Sequence, residues 1–359
     1  MPLSRKKTVL VSPLDWGLGH ATRCVPVIQE LIHQQVEVII GTSGLSGHWL
    51  KKTFPHLESV PVPYHEIRYH SWLPMEITAL MRYPSIRKMI AAEHQWLLSF
   101  CRHRKIDGII SDNRYGLYHP SIHSVCITHQ MYVQPGRWRF IQPLLNQITH
   151  SYLKPFRQIW VPDFEGPFNL SGSLSHPTLL SHNIQYIGPL SRFWEFKIPR
   201  VENYTYKVAF IISGPEPHRT TFEKACLKIT KELNLPSVII RGTDTPMKEI
   251  VPDCCKIIHI ADTEQLFQII CQSEQIVSRA GYSSIMDWYA LKKSALLIPT
   301  PGQTEQEYLS KYLKQTHLFY SVHENELTAD VLTKALDQPP YETNKTMLSS
   351  VIHNWLCEI

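Results

Sequence analysis

The feature that most constrains this chain is a rhythm. Short apolar runs, each followed by a small-residue or proline-bearing loop and then by a stretch of helical spacing, occur in two successive arrays. The first array opens with TVLVS at residues 8–12, the loop PLDWGLGH, and ATRCVPVIQELIHQQ, whose apolar positions fall on one face of a helix. VEVIIGTS from Val36, DGIIS (107–111), SVCIT (124–128) and QIWVP (158–162) continue it. Strands that alternate with helices close into a parallel sheet covered on its faces. The pattern weakens over 171–200, where Gly, Ser, Pro and His gather around IQYIG. It restarts with KVAFIISG (207–214), SVIIRG (237–242), KIIHIAD (256–262), QIVSRAG (275–281) and ALLIPTPG (295–302). Two arrays predict an α/β chain of two Rossmann-like domains facing a central cleft. The expected divisions are 1–195, 205–340, and a final helix within 341–359 of the kind that can return to the first domain.

Composition narrows the classes. The 359 residues exceed what one core usually serves. A hydrophobic share of 43% against 19% charged excludes a disordered chain. The net charge of +5 is dispersed, without the dense basic stripe that nucleic acid demands, so no nucleic-acid partner is expected. It does suit phosphate-bearing ligands or peripheral contact with an anionic membrane surface. Eight cysteines without a C-x-x-C pair or metal-ligand spacing read as reduced thiols. The apolar run Thr8 to Val11 is too short for a signal peptide, and no run reaches transmembrane length. The expectation is a cytoplasmic protein, peripheral at most at the inner face of the membrane.

In parallel α/β sheets ligands gather where strands end and helices begin, because helix N-termini present N–H groups and partial positive charge. Four loops qualify. In Asp15-Trp16-Gly17-Leu18-Gly19-His20 the glycines admit close approach, and a histidine near a helix N-terminus tends to stay neutral, as a general base must. His20 and Asp15 are the candidate catalytic groups; a packing or capping histidine is the bland alternative. Ser213-Gly214-Pro215-Glu216-Pro217 is a phosphate cradle or a rigid turn, since two prolines remove N–H groups. Ser278-Arg279-Ala280-Gly281-Tyr282-Ser283 followed by Asp287 places an anion cradle ahead of a diol acceptor. Pro299 to Glu307 leads into a helix whose first turn holds Glu305, Gln306 and Glu307; a planar amide such as Gln306 donates and accepts together, which suits vicinal hydroxyls. The acids there also serve any helix as dipole partners.

At these residues the chain resembles the GT-B glycosyltransferases of the MurG-like kind, with a family 28 type C-terminal half, and more closely a set of bacterial glycosyltransferases. SRAGYSSIMD is similar to that family's donor motif. The resemblance assigns Ser278, Arg279, Ala280, Gly281 and Ser283 to a diphosphate and Asp287 to the ribose. PTPGQTEQEYL resembles the segment that reads the transferred sugar, implicating Gln303, Glu305 and Gln306. Asp262 and Thr263 fall at the loop near the nucleobase, and Ser213 and Gly214 at a glycine-rich phosphate loop. GLGH is similar to GGxGGH with one glycine lost, placing Gly17, Gly19 and His20 on the acceptor side with Asp112, His129 and Gln130. The implied reaction is an inverting, metal-independent hexosyl transfer from a nucleotide-sugar, by preference a UDP-sugar, to a sugar or lipid-linked acceptor of the cell envelope. No Asp-x-Asp metal clamp occurs in the chain. Two rivals remain at this level. The run Gly17-x-Gly19-His20-x-x-Arg23-Cys24 also resembles the loop of a UDP-sugar hydrolase of pseudaminic acid biosynthesis, and a silent sugar-nucleotide-binding module shares the fold. The aromatic and basic stretches Tyr64 to Arg87 and Trp138 to Phe156 favour an acceptor surface or are packing.

Overall fold

A computed structural model describes residues 5–63, 83–134, 136, 139–176, 183–247, 249–336, 341, 343, 344 and 346–359. The stretch 64–82 and Trp138, which include much of the aromatic and basic region singled out above, lie outside the described residues. The described residues form two compact units, the first drawn from 5–63, 83–192 and 344–359 and the second from 193–343.

The first unit is built on a seven-stranded sheet in the order β3-β2-β1-β4-β5-β6-β7. Its strands are β1 (Thr8–Pro13), β2 (Glu37–Gly41), β3 (Glu58–Val60), β4 (Gly108–Asp112), β5 (His123–Ile127), β6 (Gln158–Val161) and β7 (Ile184–Tyr186). Every neighbouring pair is parallel. The central strands β1, β4, β5 and β6 are buried along their whole length, which is why they read as continuous apolar runs rather than alternating ones. Helices α1 (Leu18–His33), α2 (Gly44–Thr53), α3 (Tyr83–His103) and α4 (Gln142–Leu153) connect them.

The second unit repeats the plan with six parallel strands in the order β10-β9-β8-β11-β12-β13. They are β8 (Tyr206–Ile211), β9 (Ser237–Ile240), β10 (Cys255–Ile258), β11 (Ser273–Arg279), β12 (Ala295–Ile298) and β13 (Tyr320–Ser321). Its helices are α5 (His218–Leu233), α6 (Thr263–Cys271), α7 (Tyr282–Ala290), α8 (Thr304–Gln315) and α9 (Ala329–Leu336). Val208, Phe210, Phe222, Val277, Leu296 and Leu332 anchor a core beneath this sheet. The short edge strands β3 and β13 are too brief to show a period, and the apolar rhythm does not reveal them.

The last helix, α10 (Leu348–Glu358), belongs to the first unit. Trp355 is 1% exposed and meets Trp160 of β6 edge-on at 5.5 Å and His123, the first residue of β5, at 5.9 Å. Gly108 opens β4 beneath it; a Cβ there would fall 2.5 Å from Trp355 Cη2, so only glycine lets the indole seat. All eight cysteines are unpaired. Among the described residues no helix is long and apolar enough to cross a membrane.

Candidate functional site

In each sheet one central strand has neighbours that the chain reaches by leaving in opposite directions. Such switch points, β1/β4 in the first unit and β8/β11 in the second, leave a crevice beyond the strand ends. The loops after β1 and β4 in the first unit, and after β8 and β11 in the second, end at these points and carry several of the candidate residues.

In the first unit, register sets Pro13 of β1 beside Asp112 of β4, so the loop after β1 and the end of β4 share one corner. Gly17, at φ 93°, turns the chain into α1. His20 then lies on the helix's first turn, and Arg23, three residues on, shares its face. Arg23 Nε donates to Asp112 Oδ2 at 2.6 Å, and its Nη2 forms a second, shorter bond to Oδ1. His20 Nδ1 lies 3.2 Å from Asp112 Oδ1 and 2.8 Å from Arg23 Nη2. Arg23 Nη1 reaches His129 Nδ1 at 3.2 Å, while the backbone N–H of Gln130 donates to Thr128 Oγ1 at 3.1 Å. The carbonyl of Gly19 accepts from Thr22 Oγ1. His20, Asp112 and His129 are thus brought together around Arg23.

The electrostatics follow from burial and pairing. Asp112 is fully buried, which pushes its carboxyl up, yet Arg23 and His20 beside it outweigh that and hold it well below the usual carboxylate range. His20 is held below the ordinary histidine value by burial first and by the Arg23 charge second, against the pull of Asp112. Its side chain keeps 18% exposure, and among the described residues nothing hydrogen-bonds its outer nitrogen Nε2.

Asp15 occupies a different network. Its carboxylate pairs with Arg114 and accepts from Thr42 Oγ1 at 3.0 Å and Ser43 N at 3.2 Å. Arg114 also donates to Glu93 Oε1 at 2.7 Å and to the carbonyl of Pro13 at 2.7 Å. Burial raises both Asp15 and Glu93, with Arg114 opposing. Arg114 therefore ties the loop after β1 to β4 and α3, and Asp15 is spent on holding that loop. The sequence likeness to the transferases assigns Arg23 no role; its spacing three residues beyond His20 is the signal that reveals one.

In the second unit the loop after β8 carries exposed Ser213 and Gly214, the latter at φ 103°, a conformation that favours glycine. The loop after β11 divides its residues. Ser278 is buried, donates to the Arg279 carbonyl at 3.1 Å and accepts from Trp288 Nε1 at 2.9 Å. Arg279 is 1% exposed, lies over Phe222 at 4.3 Å, pairs with Glu324 and donates to the carbonyls of His218 and Pro299. Both side chains are thus engaged within the unit, and what this segment offers an anion is backbone. Ala280 is buried, and Gly281 begins α7 with no side chain capping the helix, so Ser283 lies on its first turn. Asp287 is buried on the same helix at 5% exposure.

The loop after β12 is fixed by its own amides. Gln306 Oε1 accepts from Thr300 N at 2.9 Å, and Glu307 Oε1 accepts from Gly302 N at 3.0 Å. Gln303 precedes α8, with Glu305 on its first turn. The oxygen of the Gln306 amide is therefore occupied, and the donor it can still offer is its nitrogen. Asp262 caps α6 by accepting from Gln265 N at 2.8 Å, with Thr263 at the first helical position. Among the described residues no cluster of three or more His, Cys, Asp or Glu side chains is arranged to hold a metal.

Two parallel sheets of this order in one chain define the GT-B fold. Solved GT-B structures superpose over nearly the whole chain: Acinetobacter baumannii MurG covers 99% of it and 100% of its own length, with a TM-score of 0.60 at 10% identity. Arabidopsis thaliana UGT89C1 complexed with UDP covers 98% and 99%, with a TM-score of 0.67 at 14% identity. Residues 224–349 match the glycosyltransferase family 28 C-terminal domain, and the whole chain has the GT-B fold. An uncharacterized glycosyltransferase of Methanosarcina acetivorans is 21% identical over 307 residues, 81% of this chain and 79% of that protein. A UDP-N-acetylglucosamine--N-acetylmuramyl-(pentapeptide) pyrophosphoryl-undecaprenol N-acetylglucosamine transferase of Sulfurihydrogenibium is 23% identical over 147 residues, 39% of this chain and 42% of that protein.

Proposed function

We propose that the chain transfers a sugar, with inversion, from a nucleoside-diphosphate sugar to an acceptor hydroxyl, and that His20 is the base. The observation that carries this reading is the hold on His20: Nδ1 faces Asp112 and Nε2 has no partner among the described residues. A base acting at Nε2 carries its other proton on Nδ1, and only the Asp112 carboxylate can accept it there. Arg23, the competing neighbour of Nδ1, is bound twice to that same carboxylate and keeps the imidazole neutral by its charge. Asp112 positions the ring rather than touching substrate.

In the reaction the acceptor O–H gives its proton to His20 Nε2 as the oxygen attacks the anomeric carbon. The bond from that carbon to the phosphate oxygen breaks, and the nucleoside diphosphate leaves with the electron pair. The leaving charge is met by the N-terminus of α7 and the loop at Gly214. Asp287 and Gln306 are assigned to the donor's ribose and sugar hydroxyls, with Asp262 and Thr263 beside the nucleobase. UDP is the preferred nucleotide by likeness to the UDP-dependent relatives. No metal is needed in this scheme, so activity should survive EDTA. Exposed Phe140 and Leu144 support an acceptor with an apolar part.

The test is nucleoside diphosphate release from UDP-, GDP- and dTDP-sugars, with and without membrane extract. Release that requires extract and disappears in His20→Ala supports the transferase. Release to water alone makes the protein a hydrolase, and tight binding without release makes it a binding module.

A further inference from the structure

The loop after β12 holds a hydroxyl that binds nothing among the described residues. Thr300 is 3% exposed, and its Oγ1 has no hydrogen-bond partner among them. A buried hydroxyl left unsatisfied costs free energy, so such a group calls for an explanation. Its neighbours hold it in place: Gln306 Oε1 accepts from the Thr300 N–H at 2.9 Å, and the Thr300 carbonyl accepts from Gln303 N at 3.0 Å. The turn is pinned by its backbone, while the side chain is left over.

What the hydroxyl faces is informative. A Cβ built on Gly214 would meet Thr300 Oγ1 at 3.9 Å, with no nearer neighbour outside the adjoining residues. The hydroxyl therefore looks toward the loop after β8, where a missing side chain leaves room. Register places Ile298 of β12 opposite Arg279 of β11, so Thr300, two residues on, runs beside the segment that opens α7 at Gly281. The O–H thus faces a glycine with positive φ, on the strand next to the one that leads into a helix start with no side-chain cap, and both features favour an anion.

We propose that Thr300 Oγ1 donates a hydrogen bond to a phosphate oxygen of the bound nucleoside diphosphate. This rests on the nucleotide-sugar reading above. It makes Thr300 a diphosphate-specific contact supplied from the loop otherwise assigned to the sugar. A ligand phosphate oxygen satisfies the orphaned group, so part of the stability lost in the unliganded fold is recovered on binding.

Calorimetric titration of the full chain with UDP, GDP and dTDP, and with the matching nucleosides, tests this using wild type, Thr300→Val and Thr300→Ser. Valine keeps the shape and removes the hydroxyl; serine keeps the hydroxyl. The nucleoside diphosphate that wild type binds should bind Thr300→Val roughly tenfold more weakly, with Thr300→Ser close to wild type and nucleoside affinity unchanged. The unliganded melting temperature of Thr300→Val should equal or exceed that of wild type, because an unsatisfied hydroxyl has been removed. Equal diphosphate affinity for Thr300→Val and wild type overturns the assignment and leaves the nucleotide-sugar reading standing. So does an equal loss toward nucleoside and diphosphate, or a lowered melting temperature in Thr300→Val, which marks a structural role. If wild type binds none of the three diphosphates, the nucleotide-sugar reading itself falls and takes Thr300's role with it.

Discussion

The two switch points share a topology and differ in chemistry. At β1/β4 the first unit concentrates charge: Asp112, Arg23, His20 and His129 form one interlocked group, with Asp15, Arg114 and Glu93 a second. At β8/β11 the second unit presents Gly214, Gly281 and Thr300, with its buried Arg279 drawn inward to Glu324 and Phe222. One corner is largely completed by its own side chains, with His20 Nε2 unpartnered among the described residues. The other is left short of a partner. A corner that performs proton transfer must hold its groups before substrate arrives, whereas a corner that binds an anion works best when its donors are still unspent. The same fold element is therefore finished in two opposite ways.

The contrast is most easily broken at Asp112. Asp112→Asn leaves the Arg23 guanidinium buried without its carboxylate, and the single amide oxygen that remains cannot serve both Arg23 and the His20 Nδ1–H. A destabilisation of about 3–5 kcal/mol is expected, read by denaturant unfolding, with transfer activity lost as well. His20→Ala should spare the fold and lower turnover by about 10²–10⁴-fold, with nucleoside diphosphate affinity unchanged. Weakened diphosphate binding in that variant would mean that the two corners do not divide the work as argued.

On the second corner, Gln306→Glu keeps an oxygen for the Thr300 N–H while it turns the amide donor into an acceptor and adds a negative charge. Donor KM should rise by roughly tenfold while nucleoside diphosphate binding stays near wild type. Loss of affinity for the bare diphosphate would move Gln306 from the sugar to the phosphates.

His20 also sets a pH signature. Its folded-state pKa lies below the unfolded value of about 6.5, so the unfolded chain takes up the proton first as pH falls. Stability from this group is present above about pH 6.5 and is lost as pH drops through the lowered folded value. Activity, which needs the neutral ring, should hold through pH 6.5 and decline only below it. Melting curves against pH for wild type and His20→Gln check the first statement; the acid limb of the rate profile checks the second.

The smallest effect is expected at Asp262. Asp262→Ala removes the cap of α6 and should cost about 1 kcal/mol. Wild-type nucleotide affinity in that variant would confine Asp262 to capping; a drop specific to one nucleobase would keep it in the donor site.

Much of this was legible in order of residues. Apolar runs at 8–12, 107–111, 207–214 and 275–281 mark strands because a parallel strand buried on both faces has no alternation to hide it. The small residues and His20 after those runs mark the loops that end at the switch points. The inward turn of Ser278 and Arg279 was not legible. A strand's last residues point to one face or the other according to where pairing stops, and register is a property of neighbouring strands rather than of one segment.

By itself, then, the order of residues determined two βα arrays, the loops at which a ligand would gather, and His20 at the head of α1, since these follow from local periodicity and local backbone chemistry. The tertiary structure alone decided which polar groups are spent. That Arg23 clasps Asp112 across 89 residues, that Arg114 pairs with Asp15, and that the Thr300 hydroxyl has no partner among the described residues depend on strands brought side by side from distant parts of the chain. Burial then makes each pairing or its absence costly enough to matter.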